Sequence, residues 1–188
     1  MKTNQIYDYI ERLGNLLRVD SRRDGAEHGL QPVQLEALHY LSVCNRYSDT
    51  PKATSEYLGQ TKGTVSQTLK VLEKKGFLRK VTDDNDKRVV HLKLTSAGDK
   101  LLQQFIPSRQ FKEACQHLSD ESQTQIVSCL KELLQTTQRT NGMKTFGVCH
   151  SCRFNQKIKA DRYFCNLTQE PLSSKEIQLI CREHEEVV

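Results

Sequence analysis

The chain has no tryptophan, and no apolar run approaches the ~20 residues that a membrane span requires. Its first residues, MKTNQIYDYIERLGNLL, lack the long apolar core of a secretion signal. A cytoplasmic protein with reduced thiols is therefore expected. Also absent are a Gly-rich phosphate loop, a G-x-S-x-G nucleophile elbow and an H-E-x-x-H helix. Those absences argue against an enzyme. Aromatic residues make up only 6% of the 188 positions, while Gln, Glu, Lys and Leu are frequent, which predicts a mostly helical fold with a lean core. The length suits one domain plus an appendage.

Net charge is absent everywhere except in one stretch. From Pro51 to Thr95 there are ten Lys or Arg against five Asp or Glu, an excess of five that equals the formal net charge of +5 of the whole chain. The remainder is neutral. Positive charge gathered on one segment is the electrostatic footprint of a nucleic-acid surface.

The same stretch has the pattern of a DNA reader. Thr50-Pro51 opens a short helix with Ala53, Tyr57 and Leu58 as core contacts, and Gln60-Thr61-Lys62 makes a turn with Thr61 as N-cap of a second helix. Val65, Leu69 and Leu72 recur at i, i+4 and i+7 and form an apolar stripe. The opposite face offers Lys62, Thr64, Ser66, Gln67 and Lys70, side chains that can donate to phosphates or base edges. Lys74-Lys75-Gly76 closes the helix with cations in its last turn and a C-terminal glycine. Strands are predicted at Leu78–Val81 and Val89–Leu94, where apolar and polar residues alternate. The tip between them, Asp83 to Arg88, is too polar to pack and would hold Lys87 and Arg88 over an adjacent minor groove. A winged helix-turn-helix that binds duplex DNA is the reading these residues support.

Flanking helices complete the first 140 residues. Ile6, Tyr9, Ile10, Leu13, Leu16 and Leu17 form one apolar face over residues 3–20, followed by a polar loop from Asp20 to Gly29. A helix opening at Gln31-Pro32 carries Val33, Leu35, Leu38, Leu41 and Val43 and is expected to be buried on more than one side. Residues 96–139 hold further helices, one starting at Thr95 and another capped by Ser119 with a stripe of Ile126, Val127, Leu130, Leu133 and Leu134. Long amphipathic helices on both sides of a small reader cannot all bury their faces in one subunit. Pairing with a twin subunit solves this, and a two-fold homodimer suits a palindromic site.

Helices, a helix-turn-helix, then VLEKKGFLRKVTDDNDKRVVHLKLTSAG and further helices together resemble the MarR family of bacterial transcription regulators over roughly residues 1–140. LEKKGFL, the wing DDNDKR and LTSAG carry most of the likeness. The resemblance implies a homodimeric winged-helix protein that binds a palindromic operator, usually as a repressor, with the first, fifth and sixth helices (residues 3–20 and 96–139) forming the dimer. It also implies a small-molecule effector, since family members often take small aromatic ligands. Asn85 stands where the family commonly has an arginine, which implies one weaker wing contact.

After Asn141-Gly142 the composition changes, and residues 143–188 form a distinct tail with four of the seven cysteines. Cys149 and Cys152 make a C-x2-C knuckle, and Cys165 and Cys181 follow singly. Four thiolates can complete a tetrahedral shell, so a Zn2+ ion that staples a tail too short for its own core is expected. Four thiolates suit a [4Fe–4S] cluster equally well, and the single knuckle departs from the paired knuckles of zinc ribbons. His150 or His184 could replace one cysteine. Ser173 to Glu183 is predicted to be a short helix, with Ser173 as N-cap and Cys181 near its end. Cys44, Cys115 and Cys129 lie at helical positions and read as packing residues. The tail would tune DNA binding as a metal or redox input, or else serve as an adaptor for another protein.

Overall fold

A computed structural model describes residues 1–187. Helix α1 (Lys2–Ala26) runs well past Asp20, into the segment expected to be a loop. Two effects explain the difference. Arg23 pairs with Asp20 at 3.2 Å and with Asp24 at 2.8 Å, so the polar residues support one another along the helix. Gly25 then lets the backbone press on Leu30, whose carbonyl oxygen would sit 2.7 Å from any Cβ placed there.

Helix α2 (Pro32–Val43) starts at a proline and is buried around most of its circumference, as its apolar content predicted. Thr50 caps α3 (Pro51–Leu58) by accepting from the Ala53 N–H, and Thr61 caps α4 (Lys62–Lys74) by accepting from the Thr64 N–H. Gly76, at φ +75°, turns the chain out of α4 into the wing. Strands β1 (Leu78–Thr82) and β2 (Val90–Leu94) pair antiparallel, with Leu78 opposite Leu94 and Lys80 opposite Leu92. Thr95 caps α5 (Ser96–Phe105), and α6 (Arg109–Gln116) and α7 (Asp120–Thr140) follow.

The core lies where α2, α4 and the wing meet. Leu35, Leu38, Leu69, Leu72, Leu78 and Leu92 are each at most 2% exposed. Truncating Leu72 to Ala would cost about 2–5 kcal/mol, because the α2–α4 contact has no spare volume to collapse into. Tyr40 is fully buried, yet its hydroxyl donates to the Ser48 carbonyl at 2.7 Å, which ties α2 to the loop that leads into α3.

Helices α1 and α7 stand apart from this core. No residue of α7 is buried, and in α1 only Gly25 is. Ile6, Ile10 and Leu13 face Ile126, Leu130 and Leu133 across an open apolar groove of about 630 Å³.

The tail is ordered differently from the short helix that was expected. Strands β3 (Asn155–Lys159), β4 (Arg162–Cys165) and β5 (Glu170–Ser173) form an antiparallel sheet in that order. Ser173 does accept from the Glu176 N–H, as an N-cap should, but only one 3-10 turn, Glu176–Gln178, follows. The chain then straightens because Ile180 joins the reader by strand-like bonds. Its N–H donates to the Val43 carbonyl and its carbonyl accepts from the Asn45 N–H, both at 2.9 Å. Cys181 therefore lies outside any helix. Among the described residues no helix is long and apolar enough to cross a membrane.

Candidate functional site

The exposed face of α4 carries Lys62, Thr64, Ser66, Gln67 and Lys70, while Val65, Thr68, Leu69 and Leu72 turn inward. The helix N-terminus adds its unpaired backbone N–H groups to this face. Thr61 is also exposed, but its hydroxyl already accepts from the Thr64 N–H and lies 3.0 Å from the Thr64 hydroxyl. Lys62 and Ser66 line a groove of about 260 Å³ together with Pro51, Lys52 and Lys80. The α4 stripe alone gave no reason to single out Lys52 and Lys80, since one lies on α3 and the other on β1. Only the fold brings them beside Lys62. Lys80 is held at 2.6 Å from Glu73.

At the wing tip, Lys87 and Arg88 project into solvent. Arg88 turns back on Asp86, donating from Nε and Nη2 to its two oxygens at 3.0 and 2.9 Å. Asp83 fixes the loop by accepting from the Asp86 and Asn85 N–H groups at 2.7 and 2.8 Å. Those bonds, led by the one from Asp86, hold its carboxyl down at about 2.

His91 of β2 joins the wing to the reader. Nδ1 lies 2.5 Å from Asp49 Oδ1 and Nε2 lies 3.0 Å from Asp83 Oδ2. Lys93 also pairs with Asp49, and the Leu92 N–H donates to the Asp49 carbonyl at 2.7 Å. Burial alone would lower the His91 pKa, but the hydrogen bonds to Asp49 and Asp83 outweigh it and the net shift is upward. Neither Asp49 nor His91 stood out in the sequence, because their pairing spans more than forty positions.

The four tail cysteines are brought to one place without meeting at a point. Cys149, Cys152, Cys165 and Cys181 all line one cavity, whose wall on the reader side is Asn45 and Tyr47. Burial pushes the Cys149 thiol up to about 12, and the nearby Cys181, Cys152 and Cys165 add to that shift. Among the described residues no three Cys, His, Asp or Glu side chains stand where they could hold one metal ion. His184 is buried with both ring nitrogens engaged, Nδ1 3.0 Å from the Thr145 hydroxyl and Nε2 3.1 Å from that of Ser151. Gly147 makes room for that ring, since a Cβ there would meet it at 2.4 Å. His150 is exposed. Cys44 sits in the main core, its thiol pushed up to about 12 by burial, as a packing residue would be. Cys115 lies on α6, and Cys129 lines the apolar groove between α1 and α7.

The helix order and the wing have counterparts among known proteins. A sequence model of the MarR family matches residues 28–89. The HTH-type transcriptional regulator YkoM of Bacillus subtilis (strain 168) is 30% identical over 138 residues, covering 65% of this chain and 86% of that protein. The chain belongs to the MarR family. The transcriptional repressor MprA of Escherichia coli (strain K12) is 28% identical over 125 residues, 64% of this chain and 68% of that protein. Among solved structures, the S. aureus MepR-DNA complex is 25% identical with a TM-score of 0.56, covering 69% of this chain and 97% of that one. Nearly all of the MepR chain is thus matched by part of this one, which carries additional sequence.

Proposed function

We propose that this MarR-family chain is a homodimeric, sequence-specific DNA-binding transcription regulator, acting as a repressor on a palindromic operator and tuned by a metal or redox signal at the cysteine tail. The observation that carries the reading is the exposed polar and basic front of α4, backed by an inner stripe of Val65, Leu69 and Leu72 and placed after a short turn. Thr61, Lys62, Thr64, Ser66, Gln67 and Lys70 are the proposed contacts in the major groove, and Lys87 and Arg88 those of the wing. The relatives support the direction of this reading, one being a repressor by name and one a structure in complex with DNA.

Dimer formation rests on α1 and α7. Their apolar faces are left open to solvent across a groove, and a second copy of the chain presents the same faces in return. A twin subunit would cover Ile10, Leu13, Leu130 and Leu133 and set the separation of the two α4 helices, ~34 Å for half-sites one helical turn apart. Family membership alone supports a small-molecule effector.

The test is a footprint on the promoter region of the chain's own gene. A protected palindrome, with protection weakened or abolished by Lys62→Ala, supports the reading. Absent protection at any salt concentration contradicts it.

A further inference from the structure

Asn45 belongs to the loop between α2 and α3, yet it forms part of the cysteine cavity. It is 1% exposed. Its Oδ1 accepts from the Tyr47 N–H at 3.1 Å and from the Ser48 hydroxyl at 2.9 Å. A backbone N–H can only donate, so the oxygen of this amide is identified by its partner, and Nδ2 must be the atom on the other side. That Nδ2 is buried without a well-formed hydrogen bond, and the acceptor within its reach is the Cys181 sulfur. An unpaired buried donor costs about 1–3 kcal/mol, so its presence calls for an acceptor. Besides the four sulfurs the cavity is lined by Tyr47, Phe154 and Leu167 and by the polar Asn155, Thr168 and Glu183, and the buried Asn155 Oδ1 also has no hydrogen-bond partner.

We infer that Cys149, Cys152, Cys165 and Cys181 take a [4Fe–4S] cluster, and that Asn45 Nδ2 donates a hydrogen bond to its sulfur from the DNA-reading domain. One observation separates this from a single zinc ion, and two more define an all-thiolate site with a hydrogen-bond donor in its wall. Zinc draws four sulfurs to ~2.3 Å from one point. Here all four thiols surround one cavity, while no three of the described ligand-type side chains converge on a single ion. A cubane takes one thiolate at each iron corner, so its ligands encircle a space and do not meet at a centre. Second, the orphaned donor lies in the wall of a sulfur-lined cavity, and N–H groups aimed at cluster sulfurs are a principal means by which proteins set cluster potentials. Third, His184 is committed to Thr145 and Ser151, which leaves an all-thiolate set. Four thiols lose four protons on binding a 2+ cluster, giving a site of net charge 2− that the Asn45 dipole faces with its positive end.

Asn45 also gives the site a route to the reader, a step that rests on the DNA-binding reading above. The loop it anchors holds Ser48, whose hydroxyl accepts from the Arg182 N–H next to Cys181 at 2.8 Å. The same loop carries Asp49, which binds the wing, and Thr50, which caps α3. An occupied site would therefore fix the loop from which both α3 and the wing are hung, and favour DNA binding.

The experiment uses the full chain, purified without oxygen and reconstituted with sulfide and equal amounts of ferrous and ferric iron, which together supply the oxidation level of a 2+ cluster, with zinc alone as the competing probe. The expected product is brown, with about four irons and four sulfides per chain, and Cys165→Ser fails to retain them. Asn45→Asp keeps the acceptor for Tyr47 and Ser48 but removes the donor, and Asn45→Ala removes both. Each should retain iron or lose it partly, with the remaining cluster reduced at a more negative potential than in the parent chain. Loaded protein should bind its promoter at least tenfold more tightly than stripped protein. Colourless protein with one zinc per chain overturns the cluster, and potentials unmoved in both Asn45 variants overturn the hydrogen bond. If no form of the chain binds DNA, the regulator reading fails, while iron and sulfide content still decides this one.

Discussion

Arg182 of the tail grips Glu56 of α3, with Nη2 2.9 Å from Oε1 and Nε on Oε2. The pair is partly buried, and it lowers the Glu56 pKa chiefly through that hydrogen bonding. One residue after Cys181, the tail is thus locked to the first helix of the helix-turn-helix. Arg182→Ala should lower unfolding stability by about 1.5 kcal/mol, the lower end for hydrogen bonds to a charged partner because the pair is partly exposed. Arg182→Lys should recover little, because a lysine cannot reproduce the two-pronged contact. Urea denaturation of the two variants checks this, and equal stability of the lysine variant and the parent would refute the geometry.

The His91 bridge predicts a pH dependence. Only the imidazolium can donate to Asp49 and Asp83 together, so the folded pKa lies above the ordinary value of 6.5. A raised pKa means the stabilisation is fully present below that ordinary value and fades as pH rises through the folded one. The stability difference between the parent and His91→Gln should therefore shrink as pH rises above the ordinary 6.5 and through the folded pKa. A difference constant across that range would show that the bridge works without the second proton. At the other end, the depressed Asp83 predicts wing support that is present above its ordinary 3.8 and lost as pH falls towards about 2.

The helix-turn-helix was legible in the sequence for a physical reason. Its caps, turns and stripes are local, so Thr61, Thr95 and Ser119 each cap the helix expected of them. The tail was less legible. Ile180 leaves the expected helix because it bonds to Val43 and Asn45, more than 130 positions earlier, and no local pattern encodes such a partner. The cysteine spacing pointed to a shared site, and all four do line one cavity. What spacing could not supply was the fifth side chain, Asn45, which lies in another part of the chain. The loop expected after Asp20 failed for the opposite reason, since charged neighbours one turn apart supported a helix that composition alone discouraged.

Dimer formation through α1 and α7 predicts a sharp response to charge. Leu130→Glu places a carboxylate in the apolar groove opposite Ile10 and Leu13. Leu130 is exposed in the single chain, so the fold should survive while association fails. Sedimentation velocity should report a monomer with unchanged helical circular dichroism. A variant that remains dimeric would move the interface elsewhere.

The most direct test of DNA reading by α4 is the salt dependence of binding to the chain's own promoter fragment, followed by fluorescence anisotropy between about 50 and 200 mM salt. Each phosphate neutralised adds about 0.9 to the slope of log affinity against log salt. A steep parent slope is expected, and it should become shallower by roughly one unit for each phosphate interaction that Lys62→Ala or Lys70→Ala removes from the dimer. A parent affinity that ignores salt, or a slope that neither variant changes, would contradict the claim that α4 reads DNA.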